Sequence, residues 1–365
     1  LTQGNIITVW GPFDGGKIQF AKNSGARELN AFPGDDFDAA VEQLTRAVAA
    51  CPSLCDDWDL RGADERDNIW QDLRIAGHWV LEELTAGDDR LEILDLLRDA
   101  FLVLSRTGRH IAWEFLYLGS LEGPVDVGEF LGARAAVGRP YEGSGRRANQ
   151  ADRIGQHSPW SDRAGPGDAF GLAQDARLDS AAGPEAKIFK DLGVTVRELG
   201  ALKGPSAFDD LKQFVETSNV LTHFNSHAGE VKDARGRISS ALYVTDRFPI
   251  GLTDIAALPM CRDSIVFLNC CSGAPLAFGR KKHLAGEFSN RRVGAVVATT
   301  GPVHDGFATA WAAAFYEHLM AGETVPESIL QARQQMLALD ANPMSLFYAY
   351  LGDYQTKLAQ ATVAA

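Results

Sequence analysis

The sequence predicts an α/β fold: a mostly parallel sheet flanked by helices, preceded by a separate α/β subdomain. Three observations carry this. From about residue 169, apolar runs of strand length alternate with stretches of helical period. The run SIVFLNC (264–270) is almost continuously apolar, as in a parallel strand buried on both faces. The 365 residues, 45% hydrophobic and 23% charged, supply enough apolar surface for one large domain with insertions or for two domains.

In the first half, ITVW (7–10) and KIQFA (17–21) can pair as a hairpin across GPFDGG. Helical patterns follow over 36–50, 63–85 and 88–105, then the apolar segment HIAWEFLYLG (110–119). We take residues 1–141 as this subdomain. Residues 142–168, rich in Gly, Arg, Ser and Asp and without apolar period, read as a flexible linker. The second subdomain, 169–365, opens with a strand at AFGLAQ (169–174), a helix at 184–193 and a strand at GVTVREL (193–199). A helix over 206–217 starts at Ser206, with Asp209 three residues on in the manner of a capping box. Strands follow at NVLTHF (219–224), 264–270 and VGAVVATT (293–300). A helix over 307–322 ends on Gly322, and the next is capped by Thr324 with Glu327 at its third position. SLFYAYLGD (345–353) reads as the last strand.

Composition narrows the function. The net charge of −13 argues against direct nucleic-acid binding. No stretch approaches the ~20 apolar residues of a membrane helix, so no membrane contact is expected. The chain begins at Leu1 without a basic segment followed by an apolar one, so we expect no signal peptide and a fragment of a longer protein. Five cysteines without a repeated CxxC pair fit a reducing, cytoplasmic setting rather than a disulfide scaffold. Cys51 and Cys55 lie four apart near a helix end with no second ligand pair nearby, so no metal site is expected there. No GxGxxG or phosphate-binding loop falls at a strand–helix junction, which removes a nucleotide-binding reading.

The chemistry concentrates in two stretches. HFNSHAG places His223 inside a strand and His227 just past its carboxyl end; FLNCCSGA ends another strand at Cys270 and Cys271. If the strands are neighbours in one parallel sheet, both ends open on the same edge. An imidazole can then meet a thiol, with a hairpin such as 235–246 between them in sequence. A thiolate is the nucleophile of acyl transfer, and a nearby histidine takes its proton and later protonates the leaving amine. Strand alternation lets only one of two adjacent cysteines face such a cleft. Periodicity alone does not establish catalysis, because a strand-end cysteine is commonly a small buried hydrophobe.

HFNSHAGEV and VFLNCCSGA resemble the His and Cys motifs of the CHAT domain, a caspase-like cysteine peptidase family of clan CD related to caspases and separase. HIAWEFLYLG with FLGARAAVGRP (110–140) is similar to the family's P-W-E-x-L segment and the LG…R after it. Residues 293–333 resemble its C-terminal strand, Asp-containing loop and two helices. The likeness runs in order over about 100–353. It implies a caspase-like sheet behind a pseudo-caspase-like N-terminal subdomain. It also implies a cysteine endopeptidase acting on a protein substrate without metal or organic cofactor. The L-N-x-C register puts the nucleophile on Cys271 and leaves Cys270 to packing; the general acid/base is His227, with His223 supporting the loop or core. The oxyanion donors implied are the backbone N–H of Cys271 and that of Ala228 or Gly229. Ser226 and Ala228 depart from the family's usual glycines, and Ala228 disfavours a positive φ. Family members often accompany sensor or repeat domains, and several act in bacterial antiviral defence, CRISPR- or gasdermin-linked. The resemblance therefore implies latency until a sensor domain or partner absent from this chain signals. An inactive caspase-like scaffold module is the alternative.

Asp175, after the first strand of the second subdomain, and Asp305, after the strand at 293–300, are candidates for a pocket reading a basic P1 side chain, against a reading as solvated or capping carboxylates. The basic run GRKKH (279–283) is a candidate autoprocessing loop, with a solvated loop the plainer reading. Trp113 and Glu114 are expected to hold the first subdomain against the second rather than to touch substrate.

Overall fold

The computed structural model describes residues 5–11, 17–22, 28–55, 57–87, 89–107, 111–139, 170–174, 182–193, 196–199, 206–216, 221–232, 238–243, 249–260, 264–270, 283–291 and 293–358. The linker 142–168 therefore lies outside them, as do Asp175, Cys271 and residues 279–282. The chain divides into two units. One comprises Leu1–Pro140 with Ile329–Phe347, the other Tyr141–Ser328 with Tyr348–Ala365.

In the first unit, β1 (Asn5–Gly11) and β2 (Ile18–Lys22) form the antiparallel hairpin expected across GPFDGG, and β3 (Leu29–Ala31) pairs with β2. Helices α1 (Phe37–Leu54) and α2 (Ala63–Leu84) match the first two helical patterns. The third pattern is a correction. α3 stops at Arg90–Arg98, and the chain turns into β4 (Ala100–Thr107), parallel to β1 with Val103 opposite Ile7. LLRDAFLVL carries a helical period, but Leu102 and Val103 are both fully buried, as adjacent residues become when both faces of a strand are covered. The apolar segment after β4 folds as a turn at Trp113–Phe115, followed by α4 (Leu131–Arg134) and β5 (Ala136–Gly138), which pairs in parallel with β4. Gly77 on α2 lets that turn approach: a Cβ there would collide with the Phe115 carbonyl oxygen.

Trp113 and Glu114 find their partners within this unit. Trp113 meets Phe20 edge-on at 6.3 Å. The Glu114 carboxylate, 1% exposed, accepts two hydrogen bonds of 2.5 Å from Arg139 and lies 3.5 Å from Arg333, itself fully buried. Arg333 also donates to the carbonyls of Gly132 (3.2 Å) and Ala135 (3.4 Å).

The second unit carries β6 (Phe170–Gln174), α5 (Ala182–Asp191), β7 (Val196–Leu199), α6 (Ala207–Glu216) and β8 (Leu221–Asn225). A three-stranded antiparallel sheet then interposes: β9 (Ala228–Lys232), β10 (Ile238–Leu242) and β11 (Ile250–Gly251), in the order β11-β10-β9. After α7 (Leu252–Ala256) come β12 (Ile265–Asn269), α8 (Leu284–Asn290), β13 (Ala295–Thr299), α9 (Asp305–Met320), the start of α10 (Val325–Asp340), which from Ile329 on belongs to the first unit, and β14 (Tyr348–Gly352). The strands run β14-β13-β12-β8-β6-β7, parallel throughout except β14.

Alternation along β8, β12 and β13 sorts their side chains onto two covered faces. Phe224, Val266, Leu268, Val296 and Ala298 pack with Leu211 and Phe214 of α6 and Leu284 and Phe288 of α8. On the other face Phe267 packs against Trp311, Phe315 and Tyr316 of α9, and Trp311 stacks on Tyr348 at 3.6 Å. The capping box expected before α10 is present. Thr324 N–H donates to Glu327 Oε2 at 2.8 Å, and Glu327 N–H donates to Thr324 Oγ1 at 3.4 Å. No described helix is long and apolar enough to cross a membrane.

Candidate active site

Parallel strands place all their carboxyl ends on one edge, where open α/β sheets bind ligands. β8 and β12 are neighbours there, and their last paired residues are Asn225 and Asn269. One step beyond, the Ser226 N–H still reaches the Asn269 carbonyl at 3.4 Å. His227 follows and is exposed. On β12 the next residue is Cys270, 2% exposed, on the α6–α8 face with Val266 and Leu268. Its carbonyl accepts from the Thr299 hydroxyl. Cys270 is thus a packing residue.

A small cleft of about 20 Å³ opens at this edge, lined by Asn225, Ser226, His227, Asn269, Cys270, Glu185 and Asp305, among others. Asp305 is exposed in the first turn of α9, where a carboxylate also complements the partial positive charge of the helix N-terminus. His283, from the basic run, caps α8 by accepting from the Gly286 N–H at 3.1 Å.

The two candidate oxyanion donors beside His227 differ. β9 pairs Ala228 with Leu242, and the Tyr243 N–H donates to the His227 carbonyl at 2.9 Å. Antiparallel alternation then directs the Gly229 N–H to Ala241 and turns the Ala228 N–H away from β10. β9 is the edge of its three-stranded sheet, so the ladder makes no use of the Ala228 donor.

Beneath the cleft lies a buried polar network that sequence reasoning missed. Glu185, in the first turn of α5, accepts a 2.6 Å hydrogen bond from Asn269 Nδ2 through Oε1. Its Oε2 is 2.6 Å from His223 Nε2, with side-chain exposures of 2% and 0%. The two atoms are in close polar contact without completing a well-directed hydrogen bond. His223 Nδ1 meets the Tyr316 hydroxyl at 2.6 Å, and Phe267 stacks on the imidazole at 4.8 Å. Asn269 also donates to the Ala308 carbonyl at 3.3 Å and accepts from the Tyr348 hydroxyl at 2.8 Å. Burial, reinforced by the charge of Glu185, pushes the Tyr316 phenol well above its ordinary range, so it stays protonated. One sequence signal existed for Glu185: it stands four residues before the buried Phe189, on the same helix face. Among the described residues no group of His, Cys, Asp and Glu could hold a metal ion.

No family model matches the chain, and no curated protein matches it. Solved structures do. The Saccharomyces cerevisiae separase–securin complex aligns over 95% of this chain with a TM-score of 0.56 and 11% identity, and a second structure of it with 0.54 and 10%. The Arg-specific cysteine proteinase gingipain R aligns over 89% of this chain and 76% of its own, with a TM-score of 0.50 and 12% identity. This chain spans only 30% of the matched chain in the separase–securin complex. At these identities the likeness is one of fold, and the fold is caspase-like, shared with cysteine proteinases.

Proposed function

We propose that the chain is a cysteine endopeptidase of the CHAT type. The observation that carries this is the β8–β12 pairing: Asn225 faces Asn269, and His227 and Cys271 each follow two residues later in sequence. A thiol and an imidazole borne on the carboxyl ends of adjacent parallel strands suit acyl transfer. Cys271 Sγ attacks the scissile carbonyl carbon while His227 takes the thiol proton. The oxyanion is held by the N–H of Cys271 and, in preference to Gly229, that of Ala228, which the ladder leaves unused. Collapse to a thioester expels the amine, which His227 protonates, and water attacking with His227 as base releases the acid. The route needs no metal or organic cofactor.

The substrate is a protein. Asp305 in the cleft supports a basic P1 residue, with Asp175 as a second acid, and the fold is shared with a proteinase named as Arg-specific. By resemblance we further assign the chain a cytoplasmic setting, latency until a sensor domain or partner acts on it, and a place in CRISPR- or gasdermin-linked antiviral defence. The alternative, an inactive caspase-like scaffold, draws on Ser226 and Ala228 standing where the family commonly has glycines. An electrophilic peptide probe separates the two. Wild-type protein is expected to label and Cys271→Ala to stay unlabelled; equal labelling of both removes the peptidase reading.

A further inference from the structure

Two motif residues have no part in that chemistry: His223, four residues before His227, and Asn269, two before Cys271. They sit on adjacent strands, and both reach one carboxylate. Resting on the peptidase reading, we propose that Glu185 is a positioning residue. Through His223 and Asn269 it clamps the carboxyl ends of β8 and β12 in the alignment that lets His227 and Cys271 meet.

The backbone ladder between these strands gives out at Asn225 and Asn269, and the one further contact described, Ser226 to Asn269, is long at 3.4 Å. Among the described residues, the last paired rung is Asn225–Asn269, two residues short in sequence of His227 and Cys271. Glu185 grips both strands close to that point, at 2.6 Å to each. Its position is itself determined, because Asn269 is held from behind by Tyr348 and by the Ala308 carbonyl, and His223 by Tyr316 and the flat face of Phe267. A buried carboxylate and imidazole add little net stability compared with apolar residues of similar volume. What they add is a short polar tie to each strand at a fixed point, which an apolar contact lacks. Among the described residues, the titratable groups facing Glu185 or lining the cleft above it are His223, Tyr316, Tyr348, His227, Cys270 and Asp305.

The test uses the whole chain and two readouts: turnover of a peptide substrate, and the pH dependence of Cys271 alkylation by iodoacetamide, with Cys271→Ala as the blank. Glu185→Ala is expected to lower kcat by about 10²-fold, the scale of a misplacement near 1 Å, with KM little changed. The Cys271 thiol should titrate closer to a free cysteine's ~8.5 than in the wild type. Glu185→Gln, which can still accept from Asn269 and donate to His223, should recover most of the turnover and the wild-type profile. If Glu185→Ala does not fold, Tyr348→Phe, which removes only the hydroxyl holding Asn269, should lower kcat in the same sense. Unchanged kcat and alkylation profile in the folded variants would overturn the proposal, as would a Glu185→Gln variant as deficient as Glu185→Ala, since charge rather than position would then be at work. Wild-type protein without Cys271-dependent alkylation above the blank would overturn the peptidase reading and this one with it; wild-type reactivity with an indifferent Glu185 overturns this one alone.

Discussion

His227 and Asp305 line one cleft, although the first follows β8 and the second opens α9. Asp305 is exposed there, and in the proposed reading it is the acid that meets a basic P1 side chain. Asp305→Asn is expected to cut kcat/KM for substrates with Arg or Lys at P1 by about 10–100-fold, the scale of one charge-assisted hydrogen bond, and to leave neutral P1 residues unaffected. A fluorogenic panel measures this, and preferred cleavage after Asp or apolar residues would refute a basic P1.

The Ala228 N–H is the donor left over by the β9–β10 ladder. Ala228→Pro deletes it and is expected to lower kcat by about 10²–10³-fold, whereas Ala228→Gly keeps it and should stay near wild type. A loss shared by both variants would point to loop geometry instead of the donor.

Glu114 makes a different kind of prediction. Burial pushes its carboxyl up, but the charge and hydrogen bonds of Arg139 and the charge of Arg333 outweigh this and leave it below its ordinary 4.5. A depressed acid contributes stability that is complete above the unfolded-state value and is lost as pH falls through the folded one. Glu114→Gln should therefore flatten the acid side of a stability–pH curve below about 4.5. Glu114→Ala leaves Arg333 and Arg139 uncompensated and should cost about 3–5 kcal/mol by denaturant titration at neutral pH. Burial, only partly offset by Glu114, already holds the Arg333 guanidinium down to about 10.

Thr324 and Glu327 satisfy each other's backbone donors at the start of α10. Thr324→Ala should destabilise the chain by about 0.5–2 kcal/mol, read as a lower Tm with the activity at low temperature intact.

The strand–helix order of the second unit was legible because each element carries its own signal: the apolar run of β12, the Thr324–Glu327 box, the hydrophobic face of α6. β4 was not, since LLRDAFLVL satisfies a helical period, and only the open edge of β1 decides for a strand. In the site, alternation let only one of Cys270 and Cys271 face a cleft without saying which, and Cys270 is buried among the α6–α8 core residues. The sequence placed His227 past a strand end, yet it offered nothing to choose Ala228 over Gly229, because that choice depends on the β9–β10 register. Glu185 looked like any first-turn glutamate. Its role depends on two strands that lie far from it in sequence.

Arg333 belongs to the same unit as Glu114, yet it is made long after it. A ribosome releases Glu114 and Arg139 while the segment from Ile329 to Phe347 is still to be synthesised. The first unit therefore cannot complete its interior in the order in which it is translated. Until Arg333 arrives, Trp58 and Trp70 also lack the Asp340 and Ala341 carbonyls to which their indoles donate. Maturation of this protein is thus a closing step that waits for its own late segment, and a nascent chain halted before residue 329 would hold an unfinished first unit.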